Sequence, residues 1–316
     1  MSLSKELEEG LAKFTFARLQ FTLVFLEEAS LPPFKGNVFR SGLGMILRRL
    51  ACLKPRQEEC HSCSRNQDCI YCYIFNTLPP EDSEIFTGCN EIPRPFVISV
   101  TDSRTVIPKD GILQFDLTLI GKATESLPYF IIAFQQLGEL GIGKGRSKYK
   151  IRRVSDKTGD VYTDESPFLR KPVIGGITMG PKTCTGLQLA FETPLRLRYQ
   201  GEIVRVPEFH IILRNLLRRL SLLTYFHLGY QLDVDFSRLI ERAQEVRLVR
   251  DDTSWCTLQR YSRRQNQSVS LSGFTGRAEY LGELGQFLPV LALGQEVHVG
   301  KSTVIGLGKY RMGLVG

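Results

Sequence analysis

Hydrophobic and polar positions along the first half of the chain change between strand-like and helix-like spacing. Dense β-branched and aromatic residues favour a strand, whereas apolar residues three and four positions apart favour a helix. The elements predicted in this half are a strand at 13–27, a helix through Val38, Leu43, Ile46, Leu47 and Leu50, strands near 94–101 and 111–121, a short helix at 127–139 and a basic strand that ends at about Arg153.

The second half repeats this order with one addition. Pro207 opens its long helix, and proline suits a helix start because the N–H that it lacks would have no helical partner there. The predicted elements are a strand at about 185–199, a helix from Pro207 through Leu223, an extra helix at 236–249, strands near 255–264 and 268–281, a short helix at 284–292 and a closing strand after a glycine-rich loop.

Each half thus has the order β-α-β-β-α-β of the split ferredoxin-like unit, in which two helices pack on a four-stranded antiparallel sheet. We therefore predict an α+β fold with tandem ferredoxin-like, RRM-like domains. Residues 1–153 form the first domain, with a cysteine-rich metal knuckle at 52–89, and residues 184–316 form the second. Residues 154–183, rich in Asp, Gly, Pro and Thr, are the predicted linker. The alternative is an unrelated α+β protein with two coincidental glycine loops.

Composition fits a two-domain globular protein. The chain has 316 residues, of which 42% are apolar and 23% charged, and that length allows a buried core in each domain. No apolar run reaches the roughly 20 residues that cross a bilayer. Because the N-terminus is polar and acidic, unlike a signal peptide, we expect a cytoplasmic protein without a membrane partner.

The charge favours a polyanionic partner. Lys and Arg number 41 against 33 Asp and Glu, which gives a net charge of +8, and nucleic acid is the usual partner of a basic protein. The arginines are also clustered along the chain. One group, on one side of a helical pattern, consists of Arg214, Arg218 and Arg219. A second group, in a single short segment, consists of Arg260, Arg263 and Arg264.

Five of the 8 cysteines lie close together, at Cys52, Cys60, Cys63, Cys69 and Cys72. Two C-x2-C pairs that bracket a short basic loop are a signature of tetrahedral zinc, although the gap is short for a zinc ribbon. Four thiolates can also hold an iron–sulfur cluster. We predict a structural metal, with zinc favoured over iron–sulfur and with five free thiols as the alternative.

A glycine-rich loop precedes the last predicted strand in each half of the chain. Gly300-Lys-Ser-Thr is not a nucleotide-binding P-loop, because five residues separate Gly294 from Gly300 instead of four and a strand-like segment follows instead of a helix. Glycine backbone with a neighbouring lysine can still bind phosphate, and packing turns are the alternative. The residues that would do so are Gly141, Gly143, Lys144 and Gly145 in the first half, and Gly300, Lys301, Gly306 and Gly308 in the second.

Several segments together resemble one family. These are Arg260-Tyr-Ser-Arg-Arg-Gln265, Leu271-Ser-Gly-Phe-Thr-Gly276, the stretch from Leu293 to Tyr310, Leu31-Pro-Pro-Phe-Lys-Gly36 and Arg40-Ser-Gly-Leu-Gly44. In these segments the chain resembles the CRISPR pre-crRNA-processing endoribonucleases of the RAMP superfamily. The resemblance implies tandem ferredoxin-like domains and metal-independent cleavage of repeat RNA. In that reaction the ribose 2′-hydroxyl attacks the adjacent phosphate, and the products carry 2′,3′-cyclic phosphate and 5′-hydroxyl ends.

One departure from the family concerns the catalytic histidine, which many relatives carry on the first helix of the first domain. Residues 37–52 contain no histidine here. His298, just before the second glycine loop, is the best candidate, since imidazole exchanges protons near neutral pH. We expect His61 to belong to the cysteine knuckle, His210 to pack in the long helix and His227 to cap its end. Cleavage that depends on positioning and basic residues, without a histidine, stays open.

Further site residues are candidates by their chemistry or position, and Lys35 and Arg40 occupy the region in which relatives place catalytic or RNA-binding groups. Lys301 would neutralise the scissile phosphate, while Tyr261, Ser262 or Arg264 would orient the RNA. The predicted catalytic set is His298, Lys301 and Tyr261. The predicted RNA-binding residues are Lys35, Arg40, Lys144, Arg146, Arg260, Arg264, Gly300, Ser302, Gly306, Gly308 and Lys309. We expect no catalytic metal and no small-molecule cofactor.

The family pattern implies its own set of metal ligands. In relatives the last ligand precedes a Pro-Tyr, and Cys69-Ile-Tyr71 fits that place. The implied ligands are Cys52, Cys60, Cys63 and Cys69, with Cys72 as a substitute. The expected partners are CRISPR repeat RNA or crRNA and CRISPR effector proteins. The rival hypotheses are a crRNA-binding RAMP subunit that does not cut RNA and a structural assembly subunit.

Overall fold

The computed structural model of the protein describes residues 3–52, 60–77, 92–166, 168–177, 180, 183–262 and 267–315. The chain divides into two compact units. The N-terminal unit comprises Thr15–Gly175 with Phe226–Gly229, and the C-terminal unit comprises Met1–Phe14, Gly176–Tyr225 and Tyr230–Gly316. The predicted ranges of 1–153 and 184–316 differ from this division, because each unit includes a segment that is distant from it in sequence.

The helices and strands are bounded as follows. The helices are α1 Leu3–Ala12, α2 Gly36–Ala51, α3 Ile70–Phe75, α4 Leu127–Leu140, α5 Phe209–Leu223, α6 Phe236–Gln244 and α7 Leu288–Val297. The strands are β1 Phe16–Phe25, β2 Ala29–Ser30, β3 Phe96–Ser99, β4 Val106–Ile107, β5 Ile112–Ile120, β6 Tyr149–Asp156, β7 Gly159–Thr163, β8 Gly186–Leu195, β9 Arg198–Tyr199, β10 Glu202–Ile203, β11 Arg247–Cys256, β12 Gln259–Ser262, β13 Gln267–Ser270, β14 Gly273–Leu281 and β15 Tyr310–Leu314.

The N-terminal unit has a sheet in the order β3-β5-β1-β6-β7 with antiparallel neighbours. Its first four strands have the order of a ferredoxin-like sheet, and β7 extends the edge. Aromatic rings join the sheet to α2 and α4. Phe115 on β5 stacks with Phe21 at 4.9 Å and with Phe39 at 4.8 Å, and it meets Phe134 edge to face at 5.1 Å. These rings form the centre of the core.

The C-terminal unit repeats this architecture, with the sheet order β11-β14-β8-β15. Two buried tyrosines connect its sheet to the helical layer, because the hydroxyl of Tyr280 donates to the Pro207 carbonyl and that of Tyr310 donates to the Leu291 carbonyl, both at 2.7 Å. Helix α1, which the sequence did not predict, contributes the buried Leu7 and Leu11 to this unit. The prediction of tandem ferredoxin-like domains is confirmed.

Two predicted elements differ from the structure. The extra helix at 236–249 ends at Gln244, and Arg247–Cys256 is the edge strand of the sheet. The predicted strands at 255–264 and 268–281 are interrupted by a separate hairpin of β12 and β13. An edge strand is exposed on much of its surface, so its hydrophobic pattern is weak and its limits are difficult to identify from sequence.

No helix in the described ranges has the length and apolar character that a membrane crossing requires.

A π-helical turn, Thr224–Leu228, follows α5, and the four residues Phe226–Gly229 belong to the N-terminal unit. Within that unit, Nε2 of the buried His227 lies 2.7 Å from the Pro93 carbonyl, and its ring meets Tyr73 edge to face at 5.6 Å. Since a carbonyl only accepts, Nε2 carries the proton. The expected capping role of His227 is replaced by this contact.

The first residues of the predicted linker include one buried carboxylate, that of Asp156, which accepts several hydrogen bonds. The side chain of Asp156, which ends β6, is 1% exposed and accepts hydrogen bonds at 2.8 Å from the Arg170 guanidinium and from the Val173 N–H. The N–H and hydroxyl of Thr158 donate to the same carboxylate at 2.8 and 2.7 Å. Burial alone would raise the pKa of Asp156, but these donors hold it well below its ordinary value. Asp156 therefore fixes the end of the N-terminal unit.

Asp156→Ala should lower the free energy of unfolding by about 2 kcal/mol, because buried donors lose a charged acceptor. The folded-state pKa is depressed below the unfolded value of about 3.9, so the carboxylate stabilises the fold above that pH and ceases to do so as the pH falls through the folded pKa. Denaturant unfolding between pH 7 and pH 3 measures this. The control is Asp160→Ala, whose exposed carboxylate lies 4.0 Å from Arg153. An equal loss in both variants, or a pH-independent loss for Asp156→Ala, contradicts the assignment.

Candidate nucleic-acid interface

The glycine loop of the C-terminal unit, residues 298–309, is hydrogen-bonded to the end of β8. The N–H of Lys301 donates to the Arg196 carbonyl and the N–H of Gly308 donates to the Pro194 carbonyl, both at 3.1 Å. The hydroxyl of Thr193 donates to the Gly306 carbonyl at 2.9 Å. The loop is therefore held as a rigid extension of the sheet.

Close backbone packing explains two of the loop glycines. A Cβ on Gly308 would lie 1.8 Å from the Val299 carbonyl oxygen, and one on Gly300 would lie 2.5 Å from the Arg196 carbonyl oxygen. Both residues have positive φ, 69° and 85°, which glycine adopts without strain. The predicted phosphate-binding role therefore has a packing explanation at Gly300 and Gly308.

His298 lies beneath the loop. It follows α7 with a φ of 60°. The residue is only 3% exposed, and its Nδ1 lies 3.2 Å from the Leu307 carbonyl oxygen. A carbonyl oxygen only accepts, so Nδ1 carries the proton in this contact. The predicted catalytic histidine thus joins the start of the loop to its end.

Lys301 and Ser302 are the exposed residues at the tip of the loop. Lys309 is different, because its side chain is 12% exposed and its ammonium lies 3.5 Å from the Glu192 carboxylate. The predicted catalytic residue Lys301 and the predicted RNA-binding residue Ser302 are thus presented to solvent, whereas Lys309 is engaged within the unit.

Arg196 connects the loop with the β12–β13 hairpin, a contact that the sequence analysis did not predict. Its carbonyl accepts from Lys301, and its guanidinium donates to the Ser270 carbonyl at 2.8 Å. The hairpin carries Arg260 and Tyr261 on β12, but their side chains, like the whole of Arg264, lie outside the described residues. The alternation Leu195-Arg-Leu-Arg-Tyr199 was the available signal, since it assigns both arginines to one side of a strand.

Further basic and aromatic groups lie at the start of α5. The Arg214 guanidinium is 5.8 Å from the Tyr199 ring centre, and the His210 ring meets Tyr199 edge to face at 5.7 Å. Nδ1 of His210 lies 3.4 Å from the Glu208 carboxylate, and the His210 side chain is 15% exposed. His210 is therefore more accessible than His298 or His227.

The three arginines predicted to share a helix side have different environments. Arg214 and Arg218 are exposed, whereas the Nε of Arg219 donates to the Val297 carbonyl at 3.0 Å. Burial lowers the pKa of Arg219 to about 10, which leaves it charged at neutral pH. Its positive charge lies at the C-terminus of α7, where the helix dipole favours a cation, and it fixes the residue that precedes the glycine loop.

Two predicted RNA-binding residues of the N-terminal unit make internal contacts. The Lys35 ammonium is fully buried and donates to the Asp102 carbonyl at 2.6 Å. Burial lowers the pKa of Lys35, although the Asp102 carboxylate at 3.7 Å opposes this. The Arg40 guanidinium lies 5.3 Å from the Phe75 ring centre. Lys35 therefore closes a loop onto the start of α2 and does not face solvent.

The first glycine loop presents Lys144 and Arg146 to solvent. The turn is closed by the bridge between Ile142 and Ser147. Gly141 has a φ of 76°, and a Cβ there would lie 1.8 Å from the Arg146 carbonyl oxygen. This loop combines a packing requirement for glycine with two exposed cations.

In the cysteine-rich segment, Cys72 is buried in α3, while Cys52, Cys60, Cys63 and Cys69 are half-buried, and all five are free thiols. Burial, together with hydrogen bonds and charge interactions with Cys60 and Cys69, raises the pKa of the Cys72 thiol. Among the described residues no three His, Cys, Asp or Glu side chains are arranged to hold a metal. The His61 side chain lies outside the described part.

Gly308→Ala should destabilise the protein by about 2–4 kcal/mol, since it combines a positive φ with backbone overlap. Gly313→Ala is the matched control on the adjacent strand, because nothing lies within 4 Å of a Cβ at that position, and its effect should stay within about 0.5 kcal/mol. Denaturant unfolding of both variants measures the difference. Comparable stability of the two variants would refute the packing account.

Comparison with known proteins agrees with this architecture. Residues 14–173 match a family described as an N-terminal domain, and residues 189–310 match the family described as CRISPR-associated endoribonuclease Cas6. An uncharacterized protein of Archaeoglobus fulgidus is 26% identical over 306 residues, which cover 93% of this chain and 96% of the relative.

Solved Cas6 structures share the fold at low sequence identity. A Cas6 product complex has a TM-score of 0.55 at 14% identity, over 94% of this chain and 99% of that chain. Cas6 of Thermus thermophilus has a TM-score of 0.51 at 14% identity, over 95% and 98%. A chain of a partial Cas6-RT-Cas1–Cas2 complex has a TM-score of 0.55 at 15% identity, over 96% of this chain but 46% of its own length. The C-terminal part of the chain, residues 189–310, thus matches the family of CRISPR-associated Cas6 endoribonucleases, and the tandem fold is shared with solved Cas6 structures.

Proposed function

We propose that this protein binds CRISPR repeat RNA and cleaves pre-crRNA without a catalytic metal. The 2′-hydroxyl attacks the adjacent phosphate, and the products carry 2′,3′-cyclic phosphate and 5′-hydroxyl ends. The observation that carries the proposal is the glycine loop, whose exposed Lys301 and Ser302 are fixed by backbone hydrogen bonds to β8. A cation held in a fixed position can stabilise the charge that develops on a phosphate during the reaction.

The surroundings of this loop support a role in positioning RNA. Arg196 connects the loop with the β12–β13 hairpin, the exposed Arg198 lies just after β8, and the exposed Arg214 lies in the first half of α5. Cations along such a surface bind the RNA backbone, and Tyr199 offers a ring on which a base can stack. In-line attack requires this fixed geometry more than it requires a particular proton acceptor.

In this proposal Lys301 is the catalytic residue, and Tyr261 on the adjoining hairpin orients the RNA. His298 acts as a positioning residue, because its Nδ1–H is engaged by the Leu307 carbonyl and its ring is buried. His210, with its more accessible ring, is the alternative proton-transfer group. The rival function is crRNA binding without cleavage, which the burial of His298 favours.

Protein partners are also proposed by analogy. One solved relative is a chain of a complex named for Cas1 and Cas2, and we expect this protein to meet other CRISPR proteins in the cell.

Cleavage of the cognate repeat RNA in EDTA should continue in the native protein and slow at least about tenfold in Lys301→Ala, which is about 1.4 kcal/mol of transition-state stabilisation. His298→Asn should retain activity that His298→Ala loses, because an asparagine amide can donate to the Leu307 carbonyl and tolerates a positive φ. Single-turnover rates and product end groups are measured, with Lys157→Ala as a control for an exposed lysine.

The outcomes separate the alternatives. If His298→Asn and His298→Ala are equally inactive while loop stability is retained, His298 itself transfers protons. If only His210→Ala abolishes cleavage, that ring is the catalytic group. Tight binding by the native protein without any product establishes the non-catalytic crRNA-binding subunit and ends the nuclease proposal.

Affinity for repeat RNA should fall steeply with salt, because bound cations release the counterions of the RNA. Lys301→Ala should reduce the slope of log K against log salt by about 0.7–1. Lys309→Ala should leave the slope unchanged, since its ammonium is already paired with Glu192. Filter binding or fluorescence anisotropy at several salt concentrations measures both slopes. Equal slopes for the native protein and Lys301→Ala would remove the lysine from the phosphate contacts.

A further inference from the structure

The single tryptophan of the chain, Trp255, carries a stacked arginine. The Cζ atom of Arg205 lies over the Trp255 ring at 3.8 Å from its centre, a distance at which the planar guanidinium packs against the ring face. Trp255 is half-buried, whereas Arg205 is exposed. One face of the guanidinium therefore covers the ring, and the opposite face is open to solvent.

Strand pairing holds the ring at the edge of the C-terminal sheet. Trp255 on β11 pairs with Phe274 on β14, and Phe274 pairs with Leu195 on β8. Residues directly opposite each other place their side chains on the same face of a sheet, so Trp255 extends the row of the buried Phe274 and Leu195. Two strand spacings, roughly 10 Å, separate its backbone from the end of β8.

Hydrogen bonds on both sides of Arg205 fix its backbone. The N–H of Val204 donates to the Leu197 carbonyl at 3.1 Å. The Pro207 carbonyl accepts from the hydroxyl of the buried Tyr280 at 2.7 Å. The segment that carries the arginine is thus tied to the sheet before α5 begins, and little backbone entropy is left to lose when the guanidinium meets a ligand.

The glycine loop is anchored beside this segment. The carbonyls of the adjacent residues Arg196 and Leu197 accept from the N–H groups of Lys301 and Val204, respectively. The exposed lysine of the loop and the stacked arginine are therefore held by neighbouring peptide groups of the C-terminal unit, and a strand of RNA that passes the loop tip can also reach Arg205.

Arg205 differs from other exposed arginines of this unit in its charge environment. Arg250 is paired with Asp252, and Arg311 is paired with Glu192. Within the described part of the chain, the Arg205 guanidinium has neither an ion pair nor a hydrogen bond. Stacking on a ring leaves the in-plane N–H groups available as donors. A positive charge without a carboxylate partner favours a polyanionic ligand.

We propose that Arg205, held flat on Trp255, is a stacking site for one nucleobase in a single-stranded part of the bound RNA. The base lies on the open face of the guanidinium, and the N–H groups donate to acceptors of the RNA. Bases of single-stranded RNA stack on aromatic rings and on guanidinium planes in this way. The inference rests on the proposed RNA binding, and it adds a contact to a base, whereas Lys301 contacts phosphate.

Fluorescence and affinity measurements on the full chain test the site. The probe is end-labelled repeat RNA with a 2′-deoxyribose at the position that the native protein cuts, or unmodified repeat RNA if none is cut. Bound RNA should shield Trp255 from quenching by acrylamide, and the emission reports this site alone because the chain has one tryptophan. By anisotropy, Arg205→Ala should bind about 5- to 100-fold more weakly. Arg238→Ala, which removes an exposed arginine of α6, is the matched control and should bind as the native protein does.

Abasic nucleotides separate a contact to a base from a contact to phosphate. In a scan along the repeat, one abasic position should weaken binding to the native protein but cause no further loss in Arg205→Ala, because both changes remove the same stack. Arg205→Lys keeps the charge without the planar group. It should show the same abasic profile as Arg205→Ala while it retains the salt dependence of the native protein, and it carries the test if Arg205→Ala does not fold.

The outcomes distinguish this site from the proposed function. Native affinity in Arg205→Ala, a Trp255 ring that saturating RNA leaves equally open to acrylamide, or equal abasic profiles in the native and variant proteins would each overturn the stacking site and leave RNA binding in place. A loss of affinity that only follows a loss of folded protein in denaturant unfolding would reduce Arg205 to a cover for the ring. No binding of repeat RNA by the native protein would overturn both proposals.

Discussion

The backbone hydrogen bonds between the end of β8 and the glycine loop are the constraint on which the proposed site depends. Lys301 donates to the Arg196 carbonyl, and Gly308 donates to the Pro194 carbonyl. Because β8 is a central strand of the sheet, the exposed tip of the loop inherits the rigidity of the core. A lysine at this tip loses little further backbone entropy when it meets a phosphate, which is the advantage of a preorganised site.

Several buried polar groups also help to fix the conformation of the glycine loop, although they do not face solvent. Arg219 holds the last carbonyl of α7, and His298 joins the start of the loop to Leu307. Lys309 is paired with Glu192 beside the strand. Charged side chains with these partners define one conformation of the loop more strictly than apolar packing would, since each unsatisfied partner would cost free energy.

The sequence predicted the order of elements because the helices and central strands carry strong periodic patterns. The positions of Ile211, Ile212, Leu216 and Leu220 identified α5, and the alternation along 111–121 identified β5. It did not predict that Lys35 and His298 are buried. Their neighbours in sequence are polar or glycine-rich, while their burial depends on Asp102 and Leu307, which only the folded chain brings near. The edge strand β11 was missed for a similar reason, because its register is set by pairing with β14.

The two units exchange short segments of sequence. The first fourteen residues belong with the C-terminal unit, and Phe226–Gly229 belong with the N-terminal unit, where His227 meets Pro93 and Tyr73. During synthesis the contacts of the N-terminal unit are therefore incomplete until residue 229 has emerged. Helix α1 meets its partners, Tyr230, Leu232 and α7, only after the second half of the chain has been made. The two ferredoxin-like units are thus separate in architecture but interdependent in biogenesis, and a chain cut between them would yield two incomplete folds.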